Sequence, residues 1–207
     1  ARRGGGLCWN NSSPNIFNTT INGNSATGKH DSGGGFYCIG SGATISDCVI
    51  TKNSSPLGFG GGGYMAGLNQ EPLIKNCLIT ENFAGYNGGG LYADLNCMPT
   101  ITNCTLAKNS ADGCGGALYS ANNSSVTVID TIIWENTADA NCAQIGLDPV
   151  GGTADVSYSD VQGGYPGTAN LDADPCFAAD YYLSQTPDQN STSPCVNAGS
   201  NSAIALG

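Results

Sequence analysis

Residues 88–109 read GGGLYADLNCMPTITNCTLAKN, from Gly88 to Asn109, and most of the chain is a variation on them. Gly33-Gly34-Gly35-Phe36-Tyr37 and Gly61-Gly62-Gly63-Tyr64-Met65 come before it. Gly115-Gly116-Ala117-Leu118-Tyr119 comes after it, and Gly4-Gly5-Gly6-Leu7 lies furthest upstream. The third small residue of each copy falls at 6, 35, 63, 90 and 117, giving intervals of 29, 28, 27 and 27. A second ruler runs in step: Ile16, Ile45, Ile74, Ile101 and Val128, each followed two residues later by Asn18, Asp47, Asn76, Asn103 or Asp130. Then come Ile21, Ile50, Ile79, Leu106 and Ile133, and after them Asn24, Asn53, Asn82, Asn109 and Asn136. A degenerate sixth copy follows in Gln144-Ile145 and in residues 156–161.

A fixed period of this size marks a repeat architecture with one structural unit per copy. Short alternating bursts rich in β-branched residues, punctuated by Gly and Asn, are strand signals. Three bursts per copy predict a coil of three short strands, stacked on its neighbours at about 4.8 Å. The predicted fold is therefore all-β: a right-handed parallel β-helix of about six coils over residues 1–161, with a non-repetitive C-terminal capping or assembly segment over 162–207. Stacking explains the columns, because an inward Ile meets an inward Ile and a corner Asn can hydrogen-bond the Asn above and below it. Asn and Gly also tolerate left-handed backbone at corners. A glycine-rich loop repeated five times is a turn device and not a phosphate cradle.

The pairing of Gly115-Gly116-Ala117-Leu118 with Ile133-Trp134-Glu135-Asn136 resembles the repeats of chlamydial polymorphic outer-membrane proteins. Closer still is the similarity to secreted bacterial right-handed parallel β-helix proteins with GGG(I/L)Y and NC repeats, and it covers roughly residues 4–161. Within the tail, Leu171-Asp172-Ala173-Asp174-Pro175-Cys176-Phe177 and Ser193-Pro194-Cys195-Val196-Asn197-Ala198-Gly199 resemble the closing region of the same group. The resemblance implies the fold; the group includes adhesins and other surface proteins.

Composition limits the function. Six basic residues against 16 acidic give a net charge of −10, which disfavours nucleic acid as a partner. No apolar run is long enough for a membrane span. Ten cysteines fit an oxidising, extracellular setting. Cys48, Cys77 and Cys104 share one column and read as stacked, reduced packing residues; they lack the short paired spacings of a thiolate metal site. Disulfides are expected for Cys176–Cys195, Cys114–Cys142 and Cys8–Cys38, with Cys97 left unpaired.

Candidate sites are sparse. Asn10, Asn11, Asn53, Asn122, Asn123 and Asn190 begin N-x-S/T sequons and are glycosylation candidates; Asn18 and Asn103 also begin sequons, but their place in a column reads as structural. Asp172, Asp174 and Asp180 could offer oxygen ligands to Ca²⁺ but lack EF-hand or RTX spacing, and Asx turns and strand starts are the stronger reading of them. No other cofactor is expected. The single histidine, His30, sits in a loop, and no Asp pair recurs on adjacent coils, so the acid clusters of polysaccharide-cleaving β-helices are not matched.

Three functional readings follow. The leading one is an extracellular structural subunit, not an enzyme, that assembles head-to-tail with copies of itself into a surface filament. Its basis is the absence of a visible cap before the first coil, since uncovered strand edges recruit further strands. The second is a carbohydrate-binding or adhesive module using Trp9, Tyr37, Tyr64, Tyr92 and Tyr119 as sugar platforms. In that column Tyr37, Tyr92 and Tyr119 align, with Met65 and Cys8 filling the other places. The third is a polysaccharide-active enzyme.

Overall fold

In the computed structural model the repeat columns become ladders. The structure describes residues 3–29, 32–139, 142–178, 181, 183, 192–196 and 198–200. Among them there are twenty-two short strands and no α-helix. Every strand pairs in parallel with its equivalent one coil away, as a parallel β-solenoid requires.

Three sheets are six strands deep. The first, the tyrosine sheet, contains Leu7–Asn10, Phe36–Ile39, Gly63–Ala66, Leu91–Asp94, Leu118–Ser120 and Ile145–Leu147. The second contains Asn15–Phe17, Thr44–Ser46, Leu73–Lys75, Thr100–Thr102, Ser125–Ile129 and Thr153–Ser157. The third contains Thr20–Asn22, Val49–Thr51, Leu78–Thr80, Thr105–Ala107, Ile132–Trp134 and Asp160–Val161. A fourth, narrow ladder of two-residue strands (Ser54–Ser55, Phe83–Ala84, Ser110–Ala111 and Thr137–Ala138) lies outside the three bursts predicted from sequence. Its strands are too short and too mixed in polarity to carry a period-2 signal.

The isoleucine columns line the core as expected. Ile45, Ile74, Ile101 and Val128 are stacked in register and buried, whereas Ile16 at the first coil is only partly buried. Turning from the second sheet into the third, the chain passes through Asn18, Asp47, Asn76, Asn103, Asp130 and Tyr158, all with φ between 47° and 56°. Left-handed backbone is least costly for Asn and Asp among residues with a side chain, which accounts for that column.

The other asparagine column works differently. Each amide is a link in a hydrogen-bonded chain: Asn24, Asn53, Asn82 and Asn109 donate Nδ2 to Oδ1 of the next coil's Asn at 2.9–3.0 Å. Their backbone N–H groups donate to the same oxygens. Asn136 ends the chain by donating to Gln144 Oε1 at 2.8 Å. These asparagines are not themselves left-handed; the residue before each buried one is (Lys52, Glu81, Lys108 and Glu135, φ 54–56°). Those four lie outside, where Lys52–Glu81 and Lys108–Glu135 form exposed ion pairs of little weight in stability.

One register differs from the sequence ruler. Phe36 pairs with Gly63 and Gly63 with Leu91, so Gly62, not Gly63, aligns with Gly35 and Gly90. The four-glycine run Gly60–Gly63 hid the choice. Tyr64 consequently joins the tyrosine column, and Met65 pairs with Cys38 and Ala93 inside the core. Gly4, Gly33, Gly60, Gly88 and Gly115 open the runs at φ 64–73°, where a Cβ is disfavoured.

Candidate functional site

The outer face of the tyrosine sheet carries one continuous stack. Tyr37, Tyr64, Tyr92 and Tyr119 lie ring on ring, with centroids 4.9, 5.4 and 5.4 Å apart. Phe59 covers the flank of Tyr92 at 4.8 Å, and the Arg3 guanidinium sits 5.3 Å from the Tyr37 centroid. Each of the four tyrosines is less than a tenth exposed. Their faces are consumed by one another, so they pack and do not offer sugar platforms. Burial raises their hydroxyl pKa values; at Tyr64 the hydrogen bond donated to Asp94 adds to this. Trp9 is not among them: it turns inward, half-buried, and stacks on Phe36 at 5.7 Å.

The thiols separate into distinct environments. Cys48, Cys77 and Cys104 are free and buried. The thiols of Cys48 and Cys77 donate to the carbonyls of Ser46 and Lys75 at 3.0–3.1 Å, and that of Cys104 to Thr102 at 3.2 Å. Cys114 and Cys142 are disulfide-bonded, joining neighbouring coils with Cα atoms 5.3 Å apart. The other two expected disulfides are absent. Cys8 pairs with Tyr37 and Trp9 with Cys38, so Cys8 points out and Cys38 in, on opposite faces of one sheet. Cys195 donates its thiol to Asp160 Oδ2 at 2.9 Å, while Cys176 turns to the Asp174 carbonyl at 3.4 Å. Cys97 is buried and free, its pKa pushed up to about 12 by burial.

A groove follows the corner between the second and third sheets, partly roofed by the C-terminal segment. Its main cavity, of about 530 Å³, is lined by Asn103, Thr105, Ile132, Tyr158, Leu171 and Tyr181, with Asp130, Asp160, Cys195 and Ser200 among its polar groups. A second hollow of about 480 Å³ continues it past Asp47 and Asn76, sharing Asn103, Thr105 and Tyr181. Asp130 accepts the Ser200 backbone amide at 2.5 Å and its hydroxyl at 2.6 Å. Asp160, only 4% exposed, accepts the Ala173 amide at 3.1 Å as well as the Cys195 thiol. Burial raises its carboxyl pKa; those two donors oppose the rise, and Asp172 and Asp174 add to it. The Cys195 thiol is pushed up to about 12, first by burial and then by its bond to Asp160. Among the described residues no Lys, Arg or His lines either hollow. Acceptor oxygens beside two tyrosine rings suit a neutral, hydroxyl-bearing ligand.

Residues 2–159 match the family model of the right-handed β-helix region. The chain belongs to that family. Comparisons with curated proteins and with solved structures gave no match. The parallel ladders and the family match together make the chain a right-handed β-helix repeat protein, as the glycine and asparagine columns predict.

On the β-helix, the remaining sequence candidates are distributed as follows. Asn53 is a ladder residue, buried at 1% exposure with Nδ2 donating to Ile21 O and Asn82 Oδ1, so a glycan there is incompatible with the fold. Asn10, Asn11, Asn122 and Asn123 are exposed, and Asn122 Nδ2 donates to Asp94 at 2.6 Å. Asn18, read from sequence as a structural column member, is exposed; Asn103 is half-buried in the groove wall. Asn190, His30 and Asp180 lie outside the described residues. Asp172 and Asp174 accept the amides of Gly163 and Cys176, as turn residues do. Among the described residues no group of three or more His, Cys, Asp or Glu side chains could hold a metal ion. No helix there is long and apolar enough to cross a membrane. Sequence reasoning missed the groove, because its two carboxylates come from different coils and its roof from the non-repetitive tail.

Proposed function

We propose that the chain is an extracellular structural subunit, non-enzymatic, whose first coil docks on the C-terminal region of another copy to build a head-to-tail filament. The observation that carries this reading is the form of the first coil. It is built as an interior coil: Gly4–Gly6, Ile16 and Asn24 occupy the same columns as their buried equivalents. Yet Leu7, Trp9 and Ile16 remain partly exposed, whereas the corresponding positions one coil on are buried. Asn24 Oδ1 accepts nothing from the described residues, although every other ladder oxygen through Asn136 is paired. Another parallel strand set laid beneath this edge would satisfy it.

The two ends are unlike. At the far end Tyr158 donates its amide to Thr168 O, Asn170 Nδ2 bonds Val156 O, and Leu171 pairs with the last strand of the third sheet. Residues 165–171 thus cover the last coil, and a contact between unlike ends propagates into a line when its rotation does not close. A low density of charge favours such packing, and the acidic excess restrains lateral clumping. Sedimentation and negative-stain microscopy over a concentration series test this reading. Concentration-dependent filaments support it; an upstream segment sealing the first coil in a monomeric longer chain would replace it.

A second reading, carbohydrate binding, is supported by the corner groove and no longer by the stacked tyrosines. Titration with oligosaccharides, followed by the fluorescence of Tyr158 and Tyr181, tests it against Asp130→Ala.

A further inference from the structure

Phe17 ends the first strand of the second sheet with its ring 70% exposed. Among the described residues no aromatic ring stacks on it. Single exposed apolar residues are ordinary; the residue that follows makes this one informative. Asn18 stands in left-handed backbone, φ 47°, and is exposed. Its backbone amide donates to Ser46 O at 3.1 Å, but among the described residues its carboxamide makes no hydrogen bond. Two residues on, Thr20 is also exposed.

Asn18 differs in this from Asp47, Asn76 and Asp130 of its column, and in exposure from the half-buried Asn103. Asp47 accepts Asn76 Nδ2 at 3.1 Å, Asn103 lines the groove, and Asp130 holds Ser200. It differs too from Asn53, Asn122, Asn11 and Asn123 among the other sequon asparagines. Asn53 has both amide hydrogens committed, and Asn122 has one committed to Asp94. Asn11 and Asn123 fold their carboxamide oxygens over Gly40 and Gly151, so closely that a Cβ there would lie 2.3 and 2.2 Å from them.

We propose that Asn18 is the acceptor of an N-linked glycan and that Phe17 is the apolar floor on which its first sugar lies. The inference rests on the extracellular reading. The donor is a glycan carried on a lipid pyrophosphate. Asn18 Nδ2 bonds to the anomeric carbon and the bond from that carbon to the pyrophosphate oxygen breaks. One amide hydrogen stays on nitrogen, the other leaves as a proton, and the lipid pyrophosphate departs. Thr20 supplies the hydroxyl-bearing third residue of the sequon Asn18-Thr19-Thr20. In the folded protein the C–H face of a pyranose attached at Asn18 can cover the neighbouring ring, removing apolar surface from water.

The experiment is glycopeptide mass spectrometry on the full chain recovered from its source and on the chain secreted from a eukaryotic host. Glycans are released enzymatically in heavy-oxygen water, so that each occupied Asn becomes a labelled Asp. The expected result is label at Asn18 and none at Asn53 in folded protein, loss of the Asn18 label in Thr20→Ala, and retention in Thr20→Ser. In Phe17→Ser the site stays occupied, but the enzyme releases the glycan from the folded protein several-fold faster. Label at Asn10 or Asn123 with Asn18 bare in both preparations overturns the site and leaves the extracellular reading standing. A chain from its source with every sequon bare overturns the modification and leaves the extracellular reading standing. Unchanged release from Phe17→Ser overturns the role given to the ring.

Discussion

The Phe36 ring fills the place that a side chain at Gly63 would occupy one coil above: a Cβ at Gly63 would lie 2.1 Å from Phe36 Cζ. The two pair directly in the tyrosine sheet, and the column otherwise holds Leu7, Leu91, Leu118 and Ile145. One oversized and one absent side chain on adjacent coils share the volume of two ordinary ones. Close-packed interiors tolerate such exchanges only when total volume is kept.

Gly63→Ala alone should therefore destabilise by about 1–3 kcal/mol through overpacking. Combining it with Phe36→Leu should recover part of that loss, which a double-mutant cycle from denaturant unfolding would measure. Additive effects would show that the pair is not complementary.

The asparagine ladder makes a second prediction. Asn82→Ala leaves the Asn53 amide groups without their acceptor, and Ile50 O without its donor. Each buried group left unpaired costs about 1–3 kcal/mol, so the loss should reach several kcal/mol. Asn24→Ala, at the first coil, where the ladder oxygen accepts nothing from the described residues, should cost much less. Equal losses at the two sites would contradict the ladder as the source of stability.

These ladders were legible in the sequence because a solenoid repeats one environment many times. An inward Ile or a corner Asn recurs at each coil, and five copies make the requirement visible. The Cys48, Cys77 and Cys104 column and the Cys114–Cys142 bond were legible for the same reason. What occurs once was not. Gly60–Gly63 offered two registers, and only the bulk of Phe36 chooses between them. Cys8 and Cys38 looked paired until the pleat put them on opposite faces. The Asp130–Ser200 and Asp160–Cys195 bonds join residues 70 and 35 positions apart, with no period to announce them.

Thiol chemistry provides a third test. Cys48, Cys77 and Cys104 are buried, which keeps reagents from their sulfurs; burial pushes the Cys48 and Cys104 thiols up, while the hydrogen bond with Cys104 lowers that of Cys77. Thiolates are the reactive form. Alkylation of the native protein should therefore label the exposed Cys8 first and these three only on unfolding, without prior reduction. Modification of the column at the rate of Cys8 would exclude stacked packing.

Asp160 sets a pH dependence. Its folded pKa is raised, chiefly by burial, so the folded state holds this proton more tightly than the unfolded chain. That contribution to stability is fully present below the unfolded value near 4 and is lost as pH rises through the raised folded value. Asp160→Asn should consequently gain stability relative to the native chain as pH rises from about 4 to neutrality. A difference in melting temperature that is flat across this window would show that the carboxylate is not strained by burial.

The most direct test of the structural role is cryo-electron microscopy of the full chain across a concentration series. Head-to-tail assembly predicts filaments in which the first coil of one subunit meets residues 165–171 of the next, with strand spacing of about 4.8 Å continuing along the shaft. The half-exposed Leu7, Trp9 and Ile16 should be buried at that junction. Monomers at every concentration, with the edge of the first coil ordered and facing solvent, would contradict it.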